Sequence, residues 1–208
     1  MPKPLNLAWV ENANRYRDQA TGRFVSRKVV VRELNKVVLQ SADTMKGITQ
    51  SLVDGNISLP EWQSAMEKEI KIINRMTGAA ARGGFDQMSQ SDWGHVGAET
   101  KRQYKFLRDF AADIASGKQP LNGRAVQRAG LYGEAGRGTY QEVTRRQAKK
   151  KGFTEERRVL GPTEHCQPSG SKPGCAELAA KGWQPIGTLP RIGAATCITR
   201  CRCFFEYR

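Results

Sequence analysis

The clearest structural signal in the sequence is residues 58–76, which read SLPEWQSAMEKEIKIINRM. Ser58 and Glu61 have the spacing of a capping box, in which each side chain binds the backbone N–H of the other residue, and Pro60 suits a first helical turn. Apolar residues then recur every three or four positions, as on the buried face of a helix. The stretch predicts a helix to about residue 81 with a stripe that we interpret as core rather than as a cofactor site: Leu59, Trp62, Met66, Ile70, Ile73 and Met76.

The same periodicity predicts a second long helix on the N-terminal side of this stretch. Residues 27–54 carry apolar residues at helical steps, with Ser26 placed to cap the first turn and Gly55 placed to end the last. On the C-terminal side, residues 85–97 lack the pattern and are expected to form a loop or short turn. His95 lies in that loop with no partner at catalytic spacing.

Two further helices are expected before residue 152. The first runs from Glu99 to Ser116. The second runs from Leu121 to about Lys150, although glycines interrupt it and each costs up to about 1 kcal/mol relative to alanine. With 208 residues, the chain has room for one domain and a small satellite. We therefore expect a mainly α protein whose helical body covers residues 27–151.

Composition limits where the chain can reside. Hydrophobic residues make up 38% of the sequence, and no stretch approaches the roughly 18 apolar residues of a transmembrane helix. The N-terminus also lacks the apolar run of a signal peptide. We expect a soluble chain that is made in the cytosol and has no membrane partner.

The charge is strongly positive, with 34 Lys and Arg against 20 Asp and Glu, a net charge of +14. Such an excess favours a polyanionic or acidic partner. The densest basic run offers candidate contacts to nucleic acid or to an acidic protein, and the alternative is an ordinary solvated helix face. The candidates are Arg145, Arg146, Lys149, Lys150 and Lys151.

Residues 1–26 are expected to form an N-terminal arm. Gly22 lies between polar residues and suits a tight turn, and aromatic and β-branched residues around it suit short extended pieces. A basic arm with exposed aromatics could dock on a partner, and the alternative is that it packs on its own helices. The candidate docking residues are Arg15, Tyr16, Arg17, Arg23 and Phe24.

The composition and the periodicity of the sequence change at Gly152. Helical periodicity ends, and glycine, proline and cysteine become frequent. Residues 157–160 and 201–207 suit two short strands, with a structured loop at residues 182–190 between them. We expect a domain boundary near 152 and a small β module over residues 152–208.

All five cysteines lie in this module: Cys166, Cys175, Cys197, Cys201 and Cys203. An odd number leaves one thiol over in a disulfide scheme, and the cytosol is a poor place for structural disulfides. Clustered cysteines in a small module favour a structural zinc site, to which either Cys166 or the adjacent His165 could contribute. Reduced buried thiols and disulfides are the alternatives.

The sequence offers little for catalysis. It shows no Ser-His-Asp order, no paired carboxylates at helical spacing and no phosphate loop, and Gly136-x-Gly138 is too short for a nucleotide motif. A cysteine nucleophile would need a nearby histidine, and His165 lies within the metal cluster. We expect neither an enzyme nor a small-molecule substrate.

The C-terminal segment resembles a known family. Residues 164–166, the stretch GWQPIGTLP at 182–190 and Cys197-x3-Cys201-Arg-Cys203 are similar to the tail of tailed-phage head morphogenesis proteins, the minor head proteins of the phage Mu F type. The element RYRDQATGRFV at residues 15–25 also resembles openings of such proteins. The likeness covers about 60 residues.

The resemblance implies a minor capsid protein of the virion. Members associate with the portal or the major capsid protein on the inner face of the head, assemble in the host cytoplasm, and aid head assembly, DNA packaging or DNA ejection. The basic run would then contact packaged DNA without reading its sequence, with an affinity that falls steeply with salt. The alternative function is a zinc-dependent nucleic-acid-binding regulator, although no helix-turn-helix or zinc-finger spacing is visible.

Overall fold

The computed structural model describes residues 5–161 and 167–208. The chain divides into two compact units, Met1–Gly136 and Arg137–Arg208. The first unit is mainly helical, and the second contains a small sheet and a cysteine cluster. The predicted fold class, mainly α with a small C-terminal β module, is confirmed.

Helices α1 (Arg27–Val53), α2 (Leu59–Arg82), α3 (Gln90–Ala115) and α4 (Gly123–Glu134) form the body of the first unit. Helix α1 packs against α2 and α4, and α2 packs against α3. The predicted bounds of α1 and α2 agree with the structure to within one residue at each end. No helix in the described part of the chain is both long enough and apolar enough to cross a membrane.

The stripe that predicted α2 forms the centre of this core. The capping box is present, because Ser58 Oγ accepts from the Glu61 backbone N–H and the Glu61 carboxylate accepts from the Ser58 N–H. Trp62 is fully buried and meets Phe110 edge to face, with 5.2 Å between ring centroids. Its indole Nε1 donates to Thr49 Oγ1 at 2.9 Å, so burial leaves no polar atom of this side chain unpaired.

Helix α3 begins nine residues earlier than predicted, and the expected loop over 85–97 is wrong in its second half. Ser89 and Asp92 form a capping box, and Arg82 Nε donates to the Asp92 carboxylate at 3.0 Å. The sequence did not reveal this start for two reasons. The third position of the capping box is an aspartate instead of the usual glutamate, and two glycines in the first turns weaken the helical periodicity. His95 therefore lies on a helix.

The N-terminal segment forms a hairpin within the first unit. Strands β1 (Ala8–Val10) and β2 (Arg15–Arg17) pair antiparallel, and Phe24 forms a further bridge with Arg17. The turn between Arg17 and Phe24 includes Gly22 in the left-handed conformation, as the sequence predicts.

This hairpin packs on α2, which was the alternative to a free docking arm. Tyr16 is buried and its hydroxyl donates to the Ala80 carbonyl at 2.8 Å. The Trp9 indole covers Gly83, where a Cβ would lie 2.1 Å from the ring. Tyr16 is thus a packing residue and unavailable for docking, contrary to its prediction. The other four candidates remain exposed: Arg15, Arg17, Arg23 and Phe24.

The predicted last helix consists of two helices, α4 and α5 (Gly136–Lys150). In α4, Gly133 lies against α1 so closely that a Cβ would be 2.5 Å from the Ala42 backbone nitrogen. The glycines therefore serve close helix packing, which the sequence allowed as an alternative reading of them.

The second unit contains α5, β3 (Glu155–Val159), α6 (Cys175–Ala180), β4 (Gln184–Pro185), a 3-10 turn at Ile198–Arg200 and β5 (Phe204–Tyr207). Its sheet has the order β4-β3-β5 with antiparallel pairing, and Arg158 lies opposite Phe205. Both predicted strands are present.

The boundary between units differs from the predicted one near residue 152. It falls between Gly136 and Arg137, so α5 belongs to the cysteine-containing unit. The reason is a buried ion pair, because Arg145 on α5 binds Glu156 on β3 through two contacts of 2.6 Å each. Helical periodicity marks where a helix lies but not which core it joins.

Candidate metal centre

Four cysteines of the second unit come together from separate elements. Cys175 opens α6, Cys197 and Cys201 flank the 3-10 turn, and Cys203 directly precedes β5. All four are free thiols. The sulfurs of Cys175, Cys201 and Cys203 are buried and lie within 4.8 Å of one another. These three buried thiols are close enough to share a metal ion.

The sulfur separations suit metal ligands and not disulfides. Cys175 Sγ lies 3.4 Å from Cys197 Sγ and 3.8 Å from Cys201 Sγ. A disulfide needs about 2.05 Å. Tetrahedral zinc with Zn–S bonds of about 2.3 Å places its sulfurs about 3.8 Å apart. Cys197 thus adjoins Cys175, and it lies outside the group of three sulfurs that are all within 4.8 Å of one another.

The turn that presents Cys197 and Cys201 is conformationally strained. Ile198, between them, has φ of 42°, in the left-handed region that a β-branched residue rarely adopts. Backbone strain of this kind costs of order 1–3 kcal/mol and persists where surrounding interactions impose it. Ligation of both flanking cysteines is one interaction that would offset the cost.

A buried arginine adjoins the cluster. Arg158 is 2% exposed, and its Nη1 lies 3.7 Å from Cys201 Sγ and 4.0 Å from Cys175 Sγ. Its Nη2 donates to the carbonyl oxygens of Pro190 and Arg191, at 2.5 and 3.3 Å. Among the described residues, no carboxylate forms an ion pair with it.

The arginine therefore indicates the charge of the cluster. Burying a cation without an anion costs several kcal/mol, so buried arginines are normally paired. The nearest carboxylate on β3 is already committed, because Glu156 is fully buried, binds Arg145, and accepts the backbone N–H groups of Gly187 and Leu189. Among the described residues, negative charge on the Cys175 and Cys201 sulfurs, 4.0 and 3.7 Å from Arg158 Nη1, would balance this cation.

Neighbouring thiols of the cluster shift one another's pKa. A hydrogen bond from Cys203, opposed by burial and aided by the Arg158 guanidinium, lowers the pKa of Cys201 to about 5. The same hydrogen bond, together with burial, raises the pKa of Cys203. The lowered pKa favours the thiolate form of Cys201. Thiolate is the form that binds metal.

Other predicted site residues have different outcomes. Cys166 and its neighbour His165 lie outside the described residues. Arg145 is 8% exposed and its guanidinium is engaged by Glu156 and the Leu189 carbonyl, so its predicted role in contacting a polyanion is wrong. The remainder of the basic run is exposed: Arg146, Lys149, Lys150 and Lys151.

Arg158 and Glu156 are buried charged residues near the candidate site that sequence reasoning missed. They lie on either side of the exposed Arg157 on β3, so both point inward although charged residues usually mark the solvent face of a strand. The one signal in the sequence is that they are two residues apart, since residues at i and i+2 of a strand point to the same face.

Comparison with known proteins adds no relative. No family model, curated protein or solved structure matches the chain.

Proposed function

We propose that Cys175, Cys197, Cys201 and Cys203 bind one structural zinc ion that stabilises the second unit. The observation that carries this proposal is the cluster of buried thiols with a buried arginine beside it. Zinc prefers thiolate ligands, and four of them complete a tetrahedral shell without leaving a position for substrate or water. The role of the metal is accordingly structural and not catalytic.

The size of the core supports this role. Among the described residues, the apolar cluster around the cysteines consists of eight buried residues, of which three are cysteines, and α5 adds the buried Tyr140, Val143 and Ala148. Small units with few buried side chains commonly depend on a metal or disulfides for their stability. A zinc ion at the cysteines would join α6, the 3-10 turn and the segment before β5.

Cobalt(II) substitution tests the ligand set. Tetrahedral Co²⁺ with thiolate ligands gives charge-transfer absorption in the near ultraviolet and d–d bands in the visible. We expect these bands in the wild-type chain, and we expect Cys175→Ser or Cys201→Ser to weaken or remove them. Cys166→Ser tests the cysteine that lies outside the described residues, and an unchanged spectrum would exclude it as a ligand. Bands of unchanged position and intensity in Cys175→Ser would overturn the assignment.

For the whole chain we propose a minor head protein of a tailed phage. The support is the resemblance of the C-terminal stretch, which includes the clustered Cys201 and Cys203. The exposed run Arg146 and Lys149–Lys151 suits contact with packaged DNA phosphates. A second exposed group combines three arginines with an aromatic residue and suits docking on an acidic surface of the portal or capsid: Arg15, Arg17, Arg23 and Phe24.

Particle composition tests this function. We expect the chain in purified heads of the phage that encodes it, in few copies, and we expect heads lacking it to be defective in assembly, packaging or ejection. DNA binding should weaken steeply between low and physiological salt and show no sequence preference. A sequence-selective footprint, together with absence from particles, would favour the zinc-dependent regulator instead.

A further inference from the structure

A groove between α2 and α3 in the first unit has the character of a ligand site. Its volume is about 470 Å³, within the range of about 300–1,000 Å³ that is typical of small-molecule sites. Its lining combines the cations Lys71, Arg75 and Lys101 with the aromatic rings of Trp93 and Tyr104, and it includes no acidic residue.

The cations of the groove have no acidic partners. In the described part of the chain, none of Lys71, Arg75 and Lys101 forms an ion pair. On α3, by contrast, Arg102 pairs with Glu99 and Lys105 pairs with Asp109. The Glu67 carboxylate is near enough to act on Tyr104, but the residues that line the groove carry only positive charge, and this charge suits an anion.

The aromatic rings are held in place. Trp93 stacks on Phe85 with 6.1 Å between ring centroids and an interplanar angle of 12°, and the Arg75 guanidinium lies 5.3 Å from the Trp93 ring centre. Tyr104 donates its hydroxyl to the Glu67 carbonyl at 3.0 Å. A flat ligand ring would meet walls that are already ordered, which lowers the entropic cost of binding.

The groove has open space over a glycine. Gly97 lines it from the N-terminal third of α3, and a Cβ at this position would meet nothing within 4 Å. Glycine costs a helix interior up to about 1 kcal/mol relative to alanine. The space over Gly97 is thus available to a ligand.

We propose that this groove binds a nucleotide, with its base against Trp93 and Tyr104 and its phosphate held by Lys71, Arg75 and Lys101. Stacking on aromatic side chains together with a cationic groove is how proteins hold unpaired nucleotides without reading their sequence. The nucleotide can be free or can belong to a single strand. This site is independent of the zinc proposed for the second unit.

Isothermal titration calorimetry with AMP tests the proposal on the full chain. We expect AMP to bind about tenfold more tightly than adenosine or inorganic phosphate alone, since each of those offers only half of the contacts. Lys101→Gln and Lys71→Gln should each weaken AMP binding at least about threefold. Arg102→Gln removes the same charge from the ion-paired side of α3 and should leave binding unchanged.

Gly97→Leu fills the groove without removing charge. We expect it to abolish AMP binding while the melting temperature stays equal or rises, because leucine is the better helix former. If a (dA)10 strand competes with AMP for the wild-type chain and does not bind Gly97→Leu, single-stranded nucleic acid is the source of the nucleotide. If (dA)10 does not compete with AMP, the ligand is a free nucleotide. No AMP binding at millimolar concentration, or equal binding by wild type and Gly97→Leu, would overturn the proposal.

Discussion

At the scale of single residues, Arg158 is the most informative side chain of the second unit. It is buried, it contacts two of the clustered sulfurs, and it also holds the carbonyls of Pro190 and Arg191. Hydrogen bonds to ligand sulfurs orient the ligands and stabilise their negative charge. The guanidinium thus connects the cysteine cluster to the loop that precedes the 3-10 turn.

Replacing Arg158 should weaken metal binding specifically. We expect Arg158→Met to lower zinc affinity about 10–100-fold, the usual cost of losing an outer-shell partner. Arg158→Lys should recover part of the loss, because it keeps the charge but not the planar fork. Zinc affinity would be measured by competition with a chromophoric chelator.

Arg157→Met is the control for this experiment. Arg157 is exposed on the opposite face of β3 and pairs with Glu206 at the surface. Exposed pairs contribute little, so zinc affinity should stay near that of the wild type. Equal zinc affinities of Arg157→Met and Arg158→Met would show that Arg158 does not contribute to metal binding.

At the scale of elements, glycine has opposite roles in two helices. Gly133 in α4 meets the α1 backbone at Ala42, whereas Gly47 in α1 faces open space. We expect Gly133→Ala to destabilise the first unit by about 1–3 kcal/mol, because neither backbone can yield without a shift of the helix. Gly47→Ala should stabilise it by up to about 1 kcal/mol. Urea unfolding of both variants would measure the difference.

A contrary result in this pair is easily recognised. Stabilisation by Gly133→Ala would mean that α1 and α4 do not pack as closely as the 2.5 Å separation indicates. Since both substitutions are Gly→Ala within a helix, their intrinsic propensities are equal and only the packing differs.

The positions of the helices were the part of the structure that the sequence predicted best. The Ser58–Glu61 cap and the stripe through Trp62 locate α2 to within one residue at each end, because periodicity and capping are local properties of the chain. The start of α3 was hidden by glycines near its cap. The roles of Arg145 and Arg158 could not be predicted, because they depend on which residues the fold brings opposite them.

At the scale of the whole molecule, the division into two units predicts unequal responses to metal removal. Only the second unit contains the thiol cluster, so a zinc chelator should unfold residues 137–208 and leave α1–α4 intact. Hydrogen exchange followed by mass spectrometry would report each segment separately. Loss of protection in α1–α4, or unchanged protection in residues 137–208, would contradict this expectation.

Native mass spectrometry of the reduced chain shows directly whether the clustered cysteines hold one metal ion. We predict a mass one zinc ion above that of the bare chain, and loss of that increment in Cys175→Ser. A folded, metal-free chain whose five thiols all react freely would show that the cysteines hold no metal.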